Sequence, residues 1–173
     1  MTTIRWRSTW ALTISMALAA AAVTTLAAAG QEATEEEQAF LDAAMDGDVQ
    51  GVRESLDSGI DVNVTYDDEG VSALMQAAAG SHAELVKFLL EAGAEVDART
   101  SDGMTAFLIA VDACGSNHGD LEIEEPYWKV MRLLAGAGAD VNAEDGDGQN
   151  AMAIATSYGD ERLVKVLAEL GAR

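Results

Sequence analysis

Residues 70–98 read GVSALMQAAAGSHAELVKFLLEAGAEVDA. Ser72 has the chemistry of a helix N-cap, and Leu74, Ala77 and Ala78 follow it on one helical face. Gly80 and Ser81 then interrupt the pattern. Ser81, with Glu84 three places on, has capping-box spacing for a second helix. Leu85, Phe88 and Leu89 fall at i, i+3 and i+4, the stripe of an amphipathic helix. Gly93 suits the left-handed position that ends such a helix. Val96 opens a polar loop from Asp97 to Asp102. The segment therefore predicts two short antiparallel helices and a protruding turn, with small alanines that allow close helix approach.

The same wording recurs outward from this stretch. SLDSGIDVNV (55–64), LLEAGAEVDA (89–98), LAGAGADVNA (134–143) and VLAELGAR (166–173) are versions of one phrase. Their glycines Gly59, Gly93, Gly138 and Gly171 lie 34, 45 and 33 residues apart. A second phrase starts at Gly70, Gly103 and Gly148, with a truncated first copy at Ala43-Ala44 and Gly47-Asp48. A fixed period in this range marks a stacked repeat array, in which no unit buries its apolar face alone.

Period and wording resemble the ankyrin repeat. The unit from Gly70 matches that family's pattern at Leu74, Ala77, Ala78, His82, Glu84, Val86, Leu89, Leu90, Gly93, Ala94, Val96 and Ala98. The next keeps Gly103, Thr105, Ala110, Leu133, Leu134 and all of Gly138 to Ala143. The family's Thr-Pro proline is missing, with Ala73, Ala106 and Ala151 in its place. An array somewhat less stable than a consensus one is therefore expected. The resemblance implies an all-α solenoid of about four helix-turn-helix units with protruding β-turn fingers, over residues 38–173. The units run at about 38–69, 70–102, 103–147 and 148–173, the outer two serving as caps and the first having an abbreviated opening helix.

Unit three is longer than unit two by 12 residues, placed between Val111 and Met131. The insertion, near 112–128, holds the chain's only cysteine and proline, Cys114 and Pro126, together with His118, Tyr127 and Trp128. Gly115, Ser116, Asn117 and Gly119 read as loop. Trp128 either folds back onto the second-helix face or joins Tyr127 as an anchor for a partner.

Chemistry-bearing groups are sparse. Cys114, His118 and Asp120 on a Gly-rich loop lack the base, or the third and fourth ligands, that nucleophilic catalysis or a metal would need. Asp145-Gly146-Asp147-Gly148 fails as a calcium loop, because position twelve is Thr156 or Ala151 rather than Glu. The sequence thus predicts no catalytic residue, no cofactor and no metal. His82 reads as a structural residue at a helix start.

The chain has 173 residues, 30 of them acidic and 10 basic, for a formal net charge of −20. That excludes a phosphate-binding surface and hence nucleic acid. Arg5 and Arg7 precede an uncharged run from Trp10 to Leu26, and small residues follow at Ala27 to Gly30. This is the pattern of a secretory leader over residues 1–30, with cleavage after Ala29 or Gly30. Retention as an anchor is the alternative, since Trp10 to Ala29 is 20 residues long. Removing 1–30 leaves a net charge of −22 over 143 residues. Residues 31–37 are then expected to be a mobile acidic tail.

These readings predict an exported, periplasmic or secreted module of bacterial type that binds another protein and performs no catalysis. The family's binding surface would carry over to Thr65, Asp67, Asp68, Arg99, Ser101, Asp102, Glu144 and Asp147 on the fingers. On the first-helix side it would take Val71, Ala79, Met104, Asp112, Gln149, Ser157 and Tyr158, with Tyr127 and Trp128 from the insertion. The acids predict a partner with a basic surface. A monomer is expected, with Cys114 offering a route to a linked dimer. The alternative is a dedicated accessory, immunity or oxidative-stress factor for a periplasmic enzyme or toxin.

Overall fold

A computed structural model of the chain describes residues 34–66, 69–117 and 121–173. The leader, residues 31–33 of the acidic tail, Asp67, Asp68 and residues 118–120 lie outside the described residues. Among the described residues, eight helices pair into four units. They are α1 (Glu35–Asp46) with α2 (Val49–Asp57), α3 (Ala73–Ala79) with α4 (Ala83–Glu91), α5 (Ala106–Ser116) with α6 (Leu121–Gly136), and α7 (Ala151–Tyr158) with α8 (Glu161–Glu169). First helices stack in the order α1, α3, α5, α7, and second helices form a parallel layer behind them. No described helix is long and apolar enough to cross a membrane.

One small polar side chain caps each first helix. Thr34, Ser72, Thr105 and Asn150 accept the backbone N–H of Glu37, Met75, Leu108 and Ala153 respectively. Each thereby satisfies a donor that the first turn leaves unpaired. Alanine follows the cap at residues 73, 106 and 151, all fully buried. A larger side chain there would push neighbouring first helices apart. Phe40, Leu74, Phe107, Leu108, Leu134 and Leu167 belong to one continuous core running through all four units.

Three fingers connect the units, over residues 58–72, 92–105 and 137–150. In the first, strand β1 (Thr65–Tyr66) pairs antiparallel with β2 (Val71–Ser72). The repeated phrase has a mechanical explanation. Its last polar residue reaches into the next unit: Asn63 Oδ1 accepts the Glu95 N–H at 2.9 Å, Asp97 Oδ1 that of Asp140 at 2.9 Å, and Asn142 Oδ1 that of Arg173 at 2.8 Å. The three donors occupy equivalent positions, two residues after Gly93, Gly138 and Gly171. Repetition of Asn or Asp there is therefore a ladder of inter-unit hydrogen bonds.

Four sequence expectations need correction. Glu35–Glu37 form the first turn of α1 rather than a mobile tail, because Thr34 and Glu37 close a capping box. With 12 residues, α1 is the longest first helix and is not abbreviated. Ser81 does not cap α4; it sits in the left-handed region at φ 57°, and His82 is the cap residue. Most importantly, the insertion is largely helix. Unit three has helices of 11 and 16 residues where unit two has 7 and 9. Gly115 and Ser116 belong to α5, and Pro126 is the sixth residue of α6, near enough to its start that the missing N–H costs a single ladder bond.

Candidate functional site

The finger edge holds most of the site residues read from the sequence. Each finger is sewn to the next at its tip. Ser101 N–H donates to Glu69 O at 2.8 Å, and Gly146 N–H to Asp102 O at 2.7 Å. This approach requires glycine: a Cβ on Gly103 would lie 2.7 Å from the Gly146 nitrogen, and Gly103 has φ +78°. Asp145 organises the third finger, its Oδ1 accepting the N–H of Asp147 at 2.9 Å and of Gln149 at 2.8 Å. Arg99 spans two fingers, donating through Nη1 to Gly103 O at 2.9 Å and Glu144 O at 2.6 Å. The local cation is thus turned onto backbone carbonyls.

Ser101, Asp102, Glu144, Asp147 and Gln149 are exposed, and Met104 is half-buried among them. Two depressions flank the second finger. One, of about 280 Å³, lies over Val71, Met104 and Ile109 with Glu69 and Thr100 at its rim. The other, of about 520 Å³, lies between Asp102 and Asp147. Ser101, Asp102 and Met104 line both.

The insertion builds a different environment. Asp112 accepts the Tyr158 hydroxyl at 2.9 Å, and that hydroxyl also lies 3.0 Å from Ser116 Oγ. Half-buried Asp112 and exposed Ser116 therefore brace α5 against α7 through Tyr158. Glu124 is fully buried and accepts from Arg162 Nη2 of α8 at 2.8 Å. Tyr127 is buried, its hydroxyl donating to Ala79 O at the end of α3 at 2.9 Å. Hence Tyr127 is a strut between units two and three, not a surface anchor. Trp128 is half-buried, with its Nε1 inside the protein beside the Cys114 thiol.

Cys114 is fully buried in α5 rather than on a loop. Loss of hydration on burial, then the neighbouring Glu124 and Asp160 carboxylates, push its pKa up to about 12. A thiol so placed is protonated at neutral pH and out of reach of a second chain, which removes the route to a Cys114-linked dimer. Burial, and then the adjacent Cys114, also raise the Tyr127 phenol. His82 packs its ring against Gly47 and Gly80 and places Nε2 3.0 Å from Met45 O. It ties unit one to unit two.

A family model described as ankyrin repeats (3 copies) matches residues 40–123. The chain belongs to the ankyrin-repeat family. The fourth unit lies beyond that match and completes the same ankyrin stack. Curated relatives include the protein called "Ankyrin repeat, SAM and basic leucine zipper domain-containing protein 1". The chain is 38% identical to the Mus musculus form and 40% identical to those of Chlorocebus aethiops and Papio anubis, over 91 residues in each case. The matched stretch is 53% of this chain and 19% of each relative's own length. Ankyrin repeats are generally modules for protein–protein interaction.

Proposed function

We propose that the chain is an exported, non-catalytic ankyrin module that binds one face of a partner protein, a basic one, along its fingers and first helices. The observation that carries this reading is charge segregation. The three fingers, residues 58–72, 92–105 and 137–150, contain 11 carboxylates and one basic residue, Arg99. Six of the eight basic residues after residue 30 lie on the second helices: Arg53, Lys87, Lys129, Arg132, Arg162 and Lys165. No first helix carries one. Such a field accelerates encounter with a positively charged surface and weakens as salt screens it.

Two further features support a binding role. The fingers are held by backbone hydrogen bonds and glycine contacts, so little ordering entropy is lost when they engage a partner. Their tips expose side chains while their stems share the core.

Export rests on the leader pattern of residues 1–30. The test is a pull-down from periplasmic extract, followed by affinity measurements on the captured protein. We expect a partner whose affinity drops at least about tenfold between 50 and 500 mM salt. Affinity indifferent to salt, or capture by second-helix rather than finger residues, refutes the reading. N-terminal sequencing of the exported chain should begin at Gly30 or Gln31, and retention of Met1 in the host refutes cleavage.

A further inference from the structure

We infer that the finger edge recognises an extended segment in which an aliphatic residue and a Lys or Arg stand two places apart. The inference rests on the interaction reading above and adds the partner's local chemistry. It comes from the two depressions that share Ser101, Asp102 and Met104. The smaller has an apolar floor of Val71, Met104 and Ile109. All three are half-buried members of the core's outer fringe, so a seated aliphatic side chain would remove apolar surface from water on both sides. The larger is bounded by Asp102, Asp145 and Asp147. Asp145 spends Oδ1 on the finger's own backbone. The Asp102 and Asp147 side chains are exposed, and within the described residues neither is in an ion pair.

Charge complementarity selects the occupant. Arg99 is the only basic residue on the fingers, and it is engaged by two carbonyls. A cation arriving at Asp102 and Asp147 therefore meets no local competitor. Geometry sets the spacing. In an extended chain, residues i and i+2 point to the same side, about 7 Å apart. Adjoining depressions that share Ser101, Asp102 and Met104 call for side chains on the same side of the segment, whereas neighbouring residues i and i+1 would point to opposite sides. The two walls of the larger depression are held together by the Gly146 N–H to Asp102 O bond and the close Gly103–Gly146 approach.

The test uses the exported protein, labelled with ¹⁵N, and the peptide Gly-Ser-Gly-Leu-Ser-Arg-Ser-Gly. Comparison peptides carry Ser for Leu, Gln for Arg, or Leu and Arg as direct neighbours. The parent peptide should bind about tenfold more tightly than each comparison, with shifts centred on the amides of Ser101, Asp102, Met104 and Gly146. Met104→Gln should erase the preference for Leu while keeping that for Arg. Asp102→Asn with Asp147→Asn should do the reverse. Asp102 and Asp147 are exposed and Met104 only fringes the core, so a folded amide spectrum is expected for both. Equal binding of all peptides, or preferences that survive both variants, overturns the inference. If a captured partner still binds the fingers in that event, the interaction reading stands and only the signature fails. If no partner and no peptide binds the finger edge, both fail.

Discussion

Units two and three are built on one plan and differ in what they do with extra chain. Unit two spends 7 and 9 residues on its helices, and its helix-to-helix turn is Gly80 to His82. Unit three spends 11 and 16. Loop length is thermodynamically inexpensive, so an insertion could have stayed outside as an arm. Here it lengthens both helices and turns inward. Glu124, Tyr127 and Cys114 become buried, where unit two has no charged or thiol side chain in its core. Unit three thereby contacts both neighbours through polar groups, Tyr127 toward unit two and Glu124 toward unit four. An insertion in a repeat array can thus reinforce the stack instead of decorating it.

The largest effect should come from dividing the buried pair. Arg162→Met removes the guanidinium that meets the buried Glu124 carboxylate, at a cost of about 2–3 kcal/mol. The Arg162 side chain is 45% exposed, which keeps the figure below that of a wholly buried pair. Adding Glu124→Gln should recover more than half, because the buried negative charge is gone. Urea unfolding at neutral pH reads both, and an unchanged midpoint for Arg162→Met would reduce unit three to a mere elongation of unit two.

Next comes a pH effect confined to unit three. The Cys114 thiol ionises near 9.0 when solvated and near about 12 in the fold. A raised folded pKa means its contribution is complete below pH 9 and drains away as pH climbs toward 12. The Tyr127 phenol, also raised, adds a decline of the same sign above its ordinary range. Stability should therefore fall on the alkaline side, and Cys114→Ala should flatten the first part of that fall. Denaturation midpoints between pH 8 and 11 measure it; identical slopes with and without the thiol contradict the buried placement.

The contrast also explains what the sequence could disclose. Gly59, Gly93, Gly138 and Gly171 announce their left-handed turns locally, and Ser72 announces its cap. Such features need only neighbours in the chain. Gly115, Ser116 and Pro126 announce a loop by the same local logic, and there the logic fails. Burying Cys114, Glu124 and Tyr127 against other units outweighs those propensities, and no local pattern records it. Acids on the fingers are legible as composition, and so is the exposed position of Asp102 or Asp147. The inward turn of Tyr127 is not, since an aromatic residue suits a core and an interface equally. The roles of Asn63, Asp97 and Asn142 are half-legible: recurrence marks them, but only the stack shows whose N–H they accept.

Two smaller changes probe the inward turn directly. Gly115→Ala would set a methyl 2.3 Å from the Tyr158 ring, in a helix braced by Asp112 and Ser116 against that same tyrosine. Overpacking should cost about 1–2 kcal/mol, in spite of alanine's better helix propensity. Tyr127→Phe removes the hydroxyl that reaches Ala79 O and should cost about 1 kcal/mol. Thermal unfolding distinguishes both from the parent, and neutrality of the pair would mean that unit three rests on its neighbours without being fastened to them.

The smallest change has the opposite sign and isolates the cause. Gly136 closes α6, the other helix that the insertion lengthens, and a Cβ built there meets nothing within 4 Å. Its φ is not in the left-handed region, so alanine is sterically free. Gly136→Ala should then show propensity alone, a gain of about 0.5 kcal/mol, below the full helix-interior value because the site is terminal. The same substitution thus destabilises in α5 and stabilises in α6, within one unit. Propensity is common to both sites, so the difference between them measures the contact with Tyr158. Should Gly115→Ala gain as much as Gly136→Ala, then Tyr158 yields freely, and the brace between units three and four is looser than its hydrogen bonds imply.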